Sequence, residues 1–240
     1  MRSERRVLPE RLDVLPADDP LAQRSRRDLR RVHRAMRSLS ILRRATTKLA
    51  MPQPPRRVLE LGAGDGSLLL RFARAQRPPW SGVELTLLDR QDAVSRSTKT
   101  AFEDLGWTVH VLCVDALEWA RSMRGPRYDL CVTTLFLHHF IDVDLSILLA
   151  AVAARTDAFV ACEPRRNEVS RLGSHLLGLL GANAVTREDG VTSVAAGFSE
   201  HELTSYWPRD GSGWRLDEYF EWPFTHCLVA RRSSSNHATA

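Results

Sequence analysis

Lysine is nearly missing from this chain: of 34 basic side chains only Lys48 and Lys99 are lysines. An arginine bias this complete reflects a compositional habit, so the net charge of +5 is weak evidence for a polyanionic partner. There is no CxxC pair; Cys113, Cys131, Cys162 and Cys227 each fall in a separate segment of strand character. That scatter argues against a zinc site and predicts buried thiols in a reducing compartment, with no metal bound. Long apolar runs are also absent. The stretch ending at Ala154 falls well short of the roughly 20 residues that cross a bilayer, so no membrane span is expected. Charged residues open the chain and no apolar region of roughly 7–15 residues follows them, which predicts no secretory signal and a cytoplasmic location.

What is present suits one medium domain with an appendage: 240 residues, 43% apolar and 26% charged. The charge is lopsided. Residues 1–57 hold sixteen Lys/Arg against six Asp/Glu, a surplus of ten, so the rest of the chain carries a deficit of five. Pro9, Pro16 and Pro20 punctuate an irregular arm, and Asp18-Asp19-Pro20 reads as a turn before a helix. From Asp28 to about Ala50, Leu29, Val32, Met36, Leu39, Leu42 and Leu49 recur at three- and four-residue spacing between arginines, the pattern of an amphipathic helix, single or split in two. Pro52, Pro54 and Pro55 end it. Residues 1–55 therefore read as an arm and basic helix that form a lid, 56–232 as the main domain, and 233–240, small and polar, as a disordered tail.

Beyond Arg57 short apolar runs alternate with longer helical windows. Strands are predicted at 58–61, 83–89, 108–114, 128–133 and 157–163, with helices at 67–76, 92–105, 116–123 and 143–155. Repeated strand-then-helix order with nearly continuous apolar strands implies a parallel sheet covered on both faces. The last two strands, 214–221 and 224–230, are separated only by Trp222-Pro223, too little for a crossover, and must pair as an antiparallel hairpin. The fold class is α/β: a doubly wound, Rossmann-like sheet, mostly parallel, with a C-terminal antiparallel hairpin and an N-terminal helical lid.

Leu59-Glu-Leu closes the first strand and Gly62-Ala-Gly-Asp-Gly66 turns into the next helix, where glycine lets the backbone approach a ligand. In the dinucleotide-binding loop the third small residue stands three positions after the second glycine, whereas here Gly66 follows Gly64 by two. Glu60, just ahead of the first glycine, would repel a pyrophosphate but can hold a cationic amino-acid group. S-adenosylmethionine, with an ammonium, a sulfonium and no phosphate, suits that charge pattern. Asp89 ends the second strand, where a carboxylate accepts hydrogen bonds from ribose hydroxyls, and Asp115 follows the third, where it either meets an adenine amino group or caps the next helix.

With these residues the chain, over roughly 56–230, resembles the class I methyltransferases. The resemblance implies that Glu60, Gly62, Gly64, Asp89 and Asp115 line a pocket for S-adenosylmethionine, with Ala63, Arg90, Ala116 and Thr134 beside them. The segment 128–140, which ends Leu137-His-His-Phe140, is similar to the post-strand segment of methyltransferases acting on quinones, phenols and polyketides. The run Arg27-Asp-Leu-Arg-Arg-Val-His33 and the pair Arg165-Arg166 resemble a bacterial subgroup that accompanies synthases of phenolic lipids.

Methyl transfer is an in-line displacement at an already activated carbon, so orientation supplies most of the help and a base is optional. For a phenolic acceptor His138 and His139 are the candidate bases; the alternative is that one packs beneath the loop and the other caps the helix that follows. Phe136, Glu163 and Arg165 are expected at the acceptor. The segment 172–181, apolar and interrupted by glycines, suits either a cover over a lipophilic acceptor or an ordinary core helix. The expected activity is methyl transfer to a small lipophilic acceptor, O- over C-methylation. One rival is an RNA methyltransferase using the basic helix, although aromatic residues do not interleave with its arginines. The other is a noncatalytic scaffold, which would have no need of the intact glycine loop and both aspartates.

Overall fold

The computed structural model describes residues 4–16, 18–122, 124–209 and 213–233. The chain enters through an extended arm, a four-residue helix α1 (Arg11–Val14) and a long helix α2 (Pro20–Ala35). The Asp19 carboxylate accepts from the backbone N–H groups of Leu21 and Ala22, and Pro20 fills the first turn, where its missing N–H costs nothing. Capping thus starts the helix at Pro20 rather than at the predicted Asp28. A left-handed step at Arg37, φ +58°, then separates α2 from α3 (Ser38–Lys48), so the split form of the predicted helix is the one that forms.

There follow β1 (Arg57–Leu61), α4 (Ser67–Arg74), β2 (Glu84–Asp89), α5 (Arg96–Glu103), β3 (Thr108–Cys113), α6 (Ala116–Ser122), β4 (Leu130–Thr134), α7 (Asp142–Arg155) and β5 (Ala158–Pro164). After α8 (Glu168–His175), α9 (Ala184–Ala196) and α10 (Glu202–Tyr206), the hairpin β6 (Trp214–Glu221) and β7 (Thr225–Arg232) closes the fold. Among the described residues seven strands form one sheet, in the order β3-β2-β1-β4-β5-β7-β6. All neighbours are parallel except β5 with β7 and β6 with β7.

The sheet separates two apolar layers. Val58, Leu85, Leu87 and Val132 turn toward α3, α4 and α5, meeting Ile41, Leu69, Phe72 and Phe102. Leu59, Leu88 and Phe159 turn the other way, toward α6 and α7, meeting Trp119, Leu145 and Leu148. Two-sided cover explains why β1, β4 and β5 are buried almost throughout. Each such leucine or phenylalanine contributes roughly 1.5–3 kcal/mol by leaving water.

Three details depart from the sequence reading. Cys113 is exposed, because β3 is an edge strand, while Cys131, Cys162 and Cys227 are buried as expected. The helix expected over 92–105 begins only at Arg96, where Ser95 accepts from the N–H of Thr98. The segment 172–181 is not a core helix: it is the end of α8 and a 3-10 turn, Leu176–Leu180, with Leu172, Leu176, Leu179 and Leu180 exposed. Of the expected disordered tail, residues 234–240 lie outside the described residues, as does Met123 at the end of the predicted 116–123 helix.

Candidate active site

Strand order reverses between β1 and β4, and open α/β sheets bind ligands outside the carboxyl ends of their strands at such a point. A cavity of about 660 Å³ lies there. At one end it is walled by the loop after β1 and at the other by the turn after β4, with α2 and the α8–α9 region across the top.

The loop end is built from backbone. The N–H groups of Gly62 and Ala63 both donate to the carbonyl of Leu88, at 2.9 and 3.0 Å, and Gly64 N–H donates to Asp89 Oδ2 at 2.9 Å. Gly62 has φ +67°, and a Cβ there would sit 2.3 Å from the Phe136 ring; Gly64, φ +53°, has open space on its Cβ side. Glu60 is buried and its Oε2 has no hydrogen-bond partner. Burial, and then the charges of Asp65 and Asp89, push its carboxyl well above the usual range. An unpartnered buried carboxyl oxygen on the wall of a cavity fits a cationic ligand group. Asp89 also accepts from the Gln91 N–H through Oδ1, and Asp115 Oδ1 accepts from Leu117 and Glu118, so Asp115 does cap α6 while facing the cavity. Ala63, Arg90, Ala116 and Thr134 line the same space.

The other end is a strained turn. Leu135 has φ +54°, a conformation disfavoured for a γ-branched residue, and the next residues wrap around Glu163. Glu163 Oε1 accepts from the N–H groups of Phe136 and Leu137, each at 3.0 Å, and Oε2 lies 2.8 Å from His138 Nδ1. His138 is buried, and its Nε2 is 3.3 Å from Glu10 Oε1. Burial alone would lower its pKa, but the hydrogen bonds to Glu10 and Glu163 prevail and raise it to about 9. His139 differs. Its Nδ1 is 3.1 Å from Asp13 Oδ2, its side chain is 20% exposed, and it lines the cavity.

Both carboxylates that reach these histidines from across the cavity come from the N-terminal arm, which is pinned over the site. Arg5 donates to the carbonyl of Phe140 at 2.8 Å, Arg11 and Leu12 N–H groups donate to Asp189, and Arg90 donates to the carbonyl of Asp13. Ser193 donates a short hydrogen bond to Glu10. From α2, Arg30 pairs with Asp65 of the glycine loop at 2.8 Å and Arg26 bonds Gln91. Glu10, His138 and His139 each bring a ligand-capable atom within 4.8 Å of the others. Both ring nitrogens of His138 are engaged with carboxylates there, Nδ1 with Glu163 and Nε2 with Glu10.

Most residues expected at the site therefore share this cavity: Glu60, Gly62, Ala63, Gly64, Asp89, Arg90, Asp115, Ala116, Thr134, Phe136, His138 and His139 all line it. Glu163 and Arg165, expected at the acceptor, do not. The Glu163 carboxylate is spent on the 136–138 turn beneath the cavity, and Arg165 stacks over the Phe220 ring at 3.9 Å. Glu10, Asp13 and His33 line the cavity without having been expected there. Burial drives the His33 imidazole down to about 4, so it faces the cavity neutral, with Nδ1 3.1 Å from Ser38 Oγ.

Comparison of the chain with protein families and with curated proteins finds no match. Solved structures are similar in fold. An O-methyltransferase family protein from Burkholderia thailandensis superposes with TM-score 0.55 at 17% identity over 81% of this chain, which spans only 56% of that protein's length. The plantazolicin methyltransferase BpumL in complex with S-adenosylhomocysteine (SAH) gives TM-score 0.64 at 13% identity, covering 90% of this chain and 92% of that one. BamL, a plantazolicin methyltransferase complexed with SAH and a triazolic desmethylPZN analog, gives 0.62 at 15% over 88% and 91%. The chain thus has the Rossmann-like methyltransferase fold.

Proposed function

We propose that the protein is an S-adenosylmethionine-dependent methyltransferase of the cytoplasm that O-methylates a small, lipophilic, phenolic or quinone-like acceptor of the polyketide type, as in secondary metabolism. The observation that carries this reading is the continuous cavity running from the unpartnered carboxyl of Glu60 to the imidazole of His139. Similarity in fold to proteins solved with SAH supports the choice of cofactor.

S-adenosylmethionine, when bound, supplies a methyl group on an activated sulfonium carbon. Glu60 would hold the cofactor's ammonium, the Gly62–Gly64 backbone would lie against it, and Asp89 and Asp115 would take the ribose hydroxyls and the adenine amino group. His139 accepts the acceptor's hydroxyl proton at Nε2, while Asp13 holds Nδ1–H and so fixes the tautomer and the ring direction. His138, cationic at neutral pH, cannot take a proton; it locks the turn between Glu10 and Glu163. The arm and α2 form the lid that keeps water from the reacting atoms.

Leu29, Val32, Met36, Leu177 and Phe224 on the cavity wall suit an apolar acceptor. Nucleic acid does not fit this reading, because these apolar side chains offer a phosphate backbone no partner. Incubating the enzyme with methyl-labelled cofactor and a series of alkyl-substituted phenols tests the proposal. Label recovered as a methyl ether supports it; a protein that binds cofactor but labels none of the phenols overturns the acceptor class.

A further inference from the structure

Val169, Leu172, Leu176, Leu179 and Leu180 follow one another at helical spacing along α8 and the 3-10 turn that continues it, and all five are exposed, Leu172 by 64% and Leu179 by 82%. Lone exposed apolar side chains are ordinary, but a ridge of this length marks a surface that meets something apolar. The same turn is also the wall of the cavity: Leu176, Leu177, Leu179 and Leu180 line it from the inside.

Arginines flank the ridge. Arg31 donates to the carbonyls of Leu180 and Gly181 at 3.3 Å, and Arg187 lies against Gly178. Arg27 and Arg34 stand one turn to either side of Arg31 on α2, and all three are exposed, as are Arg171 and Arg187. Asp28 and Glu168 offset Arg31 and Arg171 by pairing with them, so the rim's positive charge comes from Arg27, Arg34 and Arg187. Leucines on one face with arginines around them is the chemistry of an element that lies in a bilayer interface and prefers anionic headgroups.

We infer that the α8 ridge and its arginine rim dock the protein on an anionic lipid bilayer, with the mouth of the cavity facing the lipid. Among the described residues no helix is long and apolar enough to cross a membrane, so the contact is peripheral. That an apolar acceptor passes from the bilayer along the leucines into the cavity rests on the acceptor reading above; the docking itself does not.

Cosedimentation of the full chain with vesicles tests it, using phosphatidylcholine alone and phosphatidylcholine mixed with phosphatidylglycerol. The wild type pellets with the mixed vesicles and much less with the neutral ones, and added salt weakens the association. Val169→Ser/Leu172→Ser, which alters the ridge but not the cavity wall, lowers partitioning by about tenfold or more. Arg27→Gln and Arg187→Gln each lower it by about fivefold on mixed vesicles only. Circular dichroism melting checks that these exposed-site variants fold. A wild type that stays in the supernatant with mixed vesicles overturns the inference, as does a ridge variant that pellets like the wild type. A dimer in light scattering that Val169→Ser/Leu172→Ser dissociates also overturns it, since the ridge would then be covered by a second copy. Because the vesicles carry neither cofactor nor acceptor, this outcome is independent of whether methyl transfer is the right reaction.

Discussion

Asp13 Oδ2 stands 3.1 Å from His139 Nδ1, joining the N-terminal arm to the turn after β4. The pair has the form of a base and its orienting carboxylate, and burial of Asp13, which alone would raise its pKa, is outweighed by His139 so that it stays ionised. His139→Ala is expected to lower kcat by about 100-fold or more, and Asp13→Asn by about 10-fold, with the cofactor dissociation constant unchanged in both. Steady-state kinetics with calorimetry of cofactor binding separates the two effects. Equal turnover in His139→Ala and wild type removes the base from the account.

Gly62 faces Phe136 so closely that no β-carbon fits. Gly62→Ala pushes the Phe136 ring into the cavity and places an alanine at φ +67°, a left-handed conformation costing roughly 1–2 kcal/mol. Denaturant unfolding should show that loss of stability, and cofactor affinity should fall with it. A Gly62→Ala variant as stable and as tight-binding as the wild type contradicts the loop geometry.

His138 makes the fold sensitive to alkali. Its pKa of about 9 in the folded protein, against 6.5 ordinarily, means the imidazolium stabilises the fold fully below about pH 6.5. That contribution, up to about 3 kcal/mol, fades as pH rises from 6.5 through 9. Calorimetric Tm should fall across this window, and His138→Gln should start lower and show a flatter profile. A Tm that rises with pH there, in the wild type, contradicts the Glu10–His138–Glu163 network.

Much of the architecture was legible because the central strands are covered on both faces and so read as apolar runs, while Trp222-Pro223 leaves no room for a crossover. The glycine loop was legible because its spacing is local. Glu10 and Asp13 were not: they meet His138 and His139 only after α2 has carried the arm back across the sheet edge, and no local pattern encodes that meeting. Helix α9 escaped notice for a different reason. Its polar and apolar residues are mixed around the axis and Gly190 interrupts it, so helical periodicity is faint. Glu163 misled because a carboxylate at the end of a buried strand looks the same in sequence whether it faces a ligand or its own loop's N–H groups.

The most direct measurement is calorimetric titration of the wild type and Glu60→Gln with S-adenosylmethionine. Burial raises the Glu60 carboxyl well above its ordinary range in the protein alone, and the cofactor's ammonium would draw it back down. Binding is therefore expected one to one, and tightening as pH rises above the ordinary carboxyl range. Glu60→Gln should weaken it by about 10–100-fold, the worth of a charge-assisted hydrogen bond, while raising Tm at neutral pH because no buried acid remains to be ionised. A wild type that binds no S-adenosylmethionine, or a Glu60→Gln variant that binds it equally well, contradicts the account.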